Sequence, residues 1–71
     1  MKRYLFLNDQ NKVVHLVEGN HSQELVDAFL RDFSIMFNAV GYEEVDLPSD
    51  VWIDWTFDGT SFIKPVDTPV E

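Results

Sequence analysis

The chain has 71 residues, 45% of them hydrophobic and 14% aromatic, with 13 acids, 5 bases and a formal net charge of −8. That size and apolar content suit a single small folded domain rather than a disordered tail, and the acidity excludes a general affinity for nucleic acid or anionic lipid, which needs a basic face. Cysteine is absent, which removes disulfides, thiolate zinc sites and cysteine nucleophiles; no apolar run approaches the ~20 residues of a membrane span, and no signal-peptide pattern opens the chain.

Residues 3–18 hold two short apolar runs, Tyr4–Leu7 and Val13–Val17, around the polar stretch Asn8–Lys12. β-branched and aromatic residues fill the runs and turn formers fill the gap, which predicts a β-hairpin with a loop longer than two residues. Neither run alternates cleanly: Tyr4 and Phe6 lie on one face, Leu5 and Leu7 on the other. One face then calls for a helix, and the other for a later strand or a partner.

Gly19-Asn20 punctuates the chain. Asn20 with Gln23 has capping-box spacing, and Ser22 competes as N-cap. Leu25, Val26, Phe29, Leu30, Phe33, Met36, Phe37 and Val40 then trace one helical face. The spacing predicts a helix over 21–40, with Gly41 as the left-handed residue that ends it. Ile35 falls off the apolar stripe.

Residues 42–50 read as an acidic connector in which Pro48 prevents helix continuation. Val51 to Phe57 alternates as a half-buried strand, with Ile53, Trp55 and Phe57 on one side and Trp52, Asp54 and Thr56 on the other. Asp58-Gly59 signals a tight two-residue turn, and Phe62 then shares a face with Trp55. The second hairpin covers 51–64, and 65–71 is a frayed tail. The fold class is therefore α+β: a small antiparallel sheet of two β-hairpins with one amphipathic helix packed on one face, in the order ββαββ. Phe29, Phe33 and Phe37 should pack on the face that carries Trp55 and Phe62.

Chemistry-bearing patterns are sparse. His15 and His21 match no zinc spacing and read as one strand-face and one helix-start histidine. The acids of the connector lack the calcium-loop pattern and its turn glycine. Four serines have no nucleophile motif around them. A core of this size leaves little material for a concave catalytic site and its support, so no enzyme, cofactor or metal is expected.

Charge is unevenly placed. Residues 43–71 carry eight acids against Lys64 alone, whereas residues 1–42 carry five acids and four bases. Trp52 cannot share a strand face with Trp55 and points outward beside Asp54 if Trp55 is core. Structurally, the acids read as a solubilising face and Trp52 as covered by the acidic stretch or the tail. Functionally, the expected partner surface is Glu43, Glu44, Asp46, Asp50, Trp52 and Asp54, with charge steering a basic protein partner and the tryptophan anchoring it.

The segment Trp55-Thr56-Phe57-Asp58-Gly59-Thr60-Ser61-Phe62-Ile63-Lys64-Pro65 resembles the W-x-[YF]-D-G-x-x-F-x-x-P ending of many small bacteriophage proteins encoded with tail or tail-fibre genes. The opening, from Met1-Lys2-Arg3-Tyr4 to Asn11-Lys12-Val13-Val14, is similar to theirs as well, while the helix between has no counterpart. The resemblance implies a non-enzymatic phage protein that acts by protein–protein contact, associated with the virion or tail. It carries over no catalytic residues. The acidic stretch Tyr42–Asp50 departs from the pattern and suits a second role, an inhibitor that blocks a basic groove of a host RNA polymerase or nuclease. The corresponding locations are the virion and the host cytoplasm.

Overall fold

A computed structural model describes residues 1–65. Of the tail read at 65–71, residues 66–71 lie outside the described residues. The class is α+β. In chain order the elements are β1 (Lys2–Leu7), β2 (Val13–Glu18), α1 (Gln23–Phe37), β3 (Gly41–Asp46), β4 (Thr56–Phe57) and β5 (Phe62–Ile63). β1, β2 and β3 form a three-stranded antiparallel sheet in the order β2-β1-β3, and β4 and β5 form a separate two-stranded ribbon.

β1 is the central strand, and its five residues from Arg3 to Leu7 are all buried. Alternation sends Tyr4 and Phe6 to one face and Leu5 and Leu7 to the other. Both faces are covered. Tyr4 and Phe6 pack with Val26, Phe33 and Ala39 under α1. Leu5 and Leu7 pack with Val13 and Val51, and Trp55, Phe57 and Phe62 close over them. The molecule is thus three layers deep: helix, sheet and C-terminal ribbon. Fully burying a side chain such as Phe6 or Leu5 contributes about 1.5–3 kcal/mol.

The imperfect alternation of β2 has a physical cause. Tyr4 faces Val17 and Phe6 faces His15, but Leu7 faces Val13, so Val14 is an extra residue in the ladder. This bulge moves Val13 onto the Leu5–Leu7 face while Val14 joins the helix side. Strict period-two alternation would have sent Val13 to the helix face instead.

Ser22 caps α1, its Oγ accepting from the Leu25 N–H. The helix stops at Phe37, earlier than the spacing predicts. Asn38, not Gly41, takes the left-handed conformation (φ +61°) and donates its N–H to the Phe33 carbonyl. Gly41 instead opens β3. An Asn can hold this conformation at small cost, and doing so lets the chain reverse three residues sooner. Ile35 is 79% exposed, as its place off the stripe requires.

Three further expectations are corrected. Residues 41–46 are a strand paired with β1 along its length, not a connector. The aromatic stripe of α1 packs on Tyr4 and Phe6, whereas Trp55 and Phe62 sit on the opposite face of the sheet. The second hairpin is also shorter than 51–64. Its strand begins at Thr56, because Ile53 and Asp54 form a turn in which Asp54 has φ +77°. Phe57 pairs with Phe62, so the loop has four residues rather than two. Asp58 explains this loop. Its carboxylate accepts the N–H groups of Thr60 (2.8 Å) and Ser61 (2.7 Å), which stabilises a wider turn than a bare Asp-Gly reversal. Gly59 does have the expected positive φ, +102°.

Candidate functional site

Arg3 organises the face of the sheet under the C-terminal layer. It is 8% exposed, in a strand that is otherwise apolar beyond Lys2. Its Nε and Nη2 donate to the Glu18 carboxylate on β2. Its Nη1 donates to the backbone carbonyls of Ser49 (2.8 Å) and Val51 (2.7 Å). The guanidinium carbon lies 5.4 Å from the centre of the Trp52 ring. One buried cation therefore holds the chain between β3 and β4 against the sheet and fixes Trp52 in place.

Trp52 is 54% exposed, so of the two readings of this side chain the outward-facing one holds. Trp55 is half-buried against Leu5, Leu7 and Val13. Asp50 is exposed two residues before Trp52.

The acids do not form one patch. On β3, Glu44 lies opposite Tyr4 and Asp46 opposite Lys2, on the helix side of the sheet. Glu43 lies opposite Leu5, on the side of Arg3 and the C-terminal layer. Alternation makes this separation unavoidable once the stretch is a strand. Glu43, Glu44 and Asp46 are all exposed. Asp46 pairs with Lys2 at 3.6 Å, a contact that solvent screens heavily. Asp54 lies apart, beside Lys12 at 3.6 Å, where its N–H donates to the Val13 carbonyl. The structure thus places Asp50 and Trp52 beside Arg3, Glu43 on the same sheet face, Glu44 and Asp46 on the other, and Asp54 near the start of β2.

The sequence reading missed Arg3. Its signal was present: Arg3 alternates with Leu5 and Leu7, so covering that face must also cover the guanidinium and supply it with acceptors.

The histidines are packing residues. His15 stacks on Phe37 (5.2 Å, 12°) and tilts against Phe33 (4.5 Å). The His21 Nε2 meets the Glu18 carbonyl at 3.0 Å, and its ring packs near Tyr4 and Phe29. Among the described residues no group of three or more histidines, aspartates or glutamates could hold a metal ion, and no helix is long and apolar enough to cross a membrane. An open depression of about 400 Å³, lined by Asp9, Ser34, Asn38, Ala39 and Val40, lies at the C-terminal end of α1 and shares no residue with the predicted surface.

No protein-family model matches the chain, and no curated protein or solved structure matches it.

Proposed function

We propose that this chain is a small non-enzymatic bacteriophage protein that acts by contact with another protein, associated with the virion or tail. The observation that carries the contact is Trp52. A large aromatic side chain is left more than half exposed yet is positioned by a buried arginine. Ordering before binding lowers the entropic cost of using such a ring as an anchor. The acids Glu43, Glu44, Asp46 and Asp50 flank it in sequence and favour a basic partner. The phage assignment rests on the resemblance of the opening and of the Trp55–Pro65 segment.

Proteomics of purified virions together with affinity capture from host lysate tests this reading. Presence in virions with a tail-protein partner supports it; absence from virions opposes it. Once a partner is in hand, Trp52→Ala should mainly speed dissociation. Reversing Glu43, Glu44 and Asp46 to lysine should slow association and flatten its salt dependence.

The second reading is an acidic inhibitor of a host RNA polymerase or nuclease that occupies a basic groove or mimics DNA. The observation favouring it is that Glu43, Glu44 and Asp46 are carried on a regular strand rather than a loop, which fixes their spacing. An early-expressed gene neighbourhood and capture of such an enzyme would select it, whereas tail-gene neighbours select the first.

A further inference from the structure

The sheet has two outer strands, and they are not equally open. On β2, the Val13 N–H and carbonyl are already bonded to the Trp55 carbonyl and the Asp54 N–H, and the Glu18 carbonyl meets the His21 ring. That edge is blocked at its two ends, with the Leu16 backbone groups between them facing outward. β3 is different. The Leu47 N–H donates to the Met1 carbonyl. In the antiparallel register this directs the backbone groups of Gly41, Glu43 and Val45 toward β1. Those of Tyr42, Glu44 and Asp46 then point outward. None of them has a hydrogen-bond partner among the described residues.

We propose that the outer edge of β3 receives an extended, lysine- or arginine-bearing segment of a protein partner as a fourth strand. This deepens the protein-contact reading above and rests on it. Unpaired donors and acceptors along a strand are a template for strand addition. The side chains decide which strand is accepted. An antiparallel second copy centred on Glu44 would set Glu44 directly against Glu44, and a parallel one in register would oppose all three acids with themselves. Like charges directly opposite are destabilising, so both of these pairings with a second copy are disfavoured. A basic strand meets no such penalty.

The register gives the pattern. Read antiparallel to Asp46-Val45-Glu44-Glu43-Tyr42, the incoming segment carries a basic, an apolar, two basic and one small residue. The apolar residue shares a face with Val45, which is half-buried on the Arg3 side.

The test uses the intact chain and a capped peptide containing Lys-Val-Lys-Lys-Thr, followed by NMR of backbone amides at low ionic strength. The expected result is slowed exchange and shifted resonances at Tyr42, Glu44 and Asp46. N-methylation of the two peptide amides that face Glu44 and Asp46 should weaken binding about tenfold or more, since two backbone hydrogen bonds are lost. N-methylation of the intervening amides, which face away, should change little. Glu44→Pro should also abolish binding while the chain stays folded, because the Glu44 N–H is outside the β1 ladder. The same peptide with glutamates in place of lysines should not bind. Equal binding of both N-methylated peptides would mean attraction by charge alone and would overturn strand addition. Absence of binding would overturn it too. Neither outcome touches a partner held through Trp52, so failure here is distinct from failure of the protein-contact reading.

Discussion

Arg3 is the side chain on which the C-terminal layer depends. Truncating it leaves the Ser49 and Val51 carbonyls and the Glu18 carboxylate without their donor. Arg3→Ala is expected to cost about 2–4 kcal/mol in urea unfolding, because losing hydrogen bonds to a charged group under a covered face is expensive. Arg3→Lys keeps the charge but not the fork, and should recover only part of the loss. Trp52 fluorescence should change in both variants, since the cation leaves or moves from the ring. A wild-type midpoint for Arg3→Ala would contradict this role. At the turn, Asp58 is held below the ordinary carboxylate range, first by the Ser61 N–H and then by the Thr60 N–H. A carboxyl lowered in the folded state contributes stability that is complete above its unfolded-state value and fades as pH falls through the folded one. NMR titration should therefore show Asp58 protonating at lower pH than aspartate in a short reference peptide. Any difference in stability between wild type and Asp58→Ala should shrink in strong acid.

At the scale of elements, α1 is the part most legible in the sequence, because the 3.6-residue period survives errors at either end. Its limits were less so. Asn38 could take the left-handed conformation reserved for Gly41, and composition alone does not choose between two residues that both tolerate it. β3 was illegible for another reason. Gly, Glu and Asp are poor strand formers, and Tyr42 and Val45 fall on opposite faces, so neither propensity nor alternation marks the segment. Its pairing comes from β1, which is buried along its length and needs a neighbour on each side. The second hairpin was legible as a pair of aromatic runs but not in register, since the Asp58 side chain sets the loop. Phe33 tests how the layers divide. It is 8% exposed and 4.8 Å from Phe6. Phe33→Ala is expected to cost about 3–5 kcal/mol. Methyl and aromatic NMR shifts should move at Tyr4 and Phe6 and far less at Trp55 and Phe62, which lie across the sheet. Equal disturbance on both faces would contradict the three-layer packing.

For the molecule as a whole, the site was half legible. The exposure of Trp52 and the acidity of 43–50 could be read from residue types. Their distribution could not, because a strand divides consecutive acids between two faces and a loop does not. What results is a sheet with one edge covered at its ends, one edge open along its length and acidic, and a tryptophan beside the C-terminal layer. The central claim is that a protein partner meets this surface. A photo-crosslinking residue placed in turn at Glu44, Trp52, Leu16 and Ile35, with products identified from purified virions and from host lysate, tests it most directly. The account predicts one and the same partner protein crosslinked from positions 44 and 52 and absent from 16 and 35. A partner captured only from Leu16 or Ile35 would contradict it, and would place the contact on β2 or on the outer face of α1.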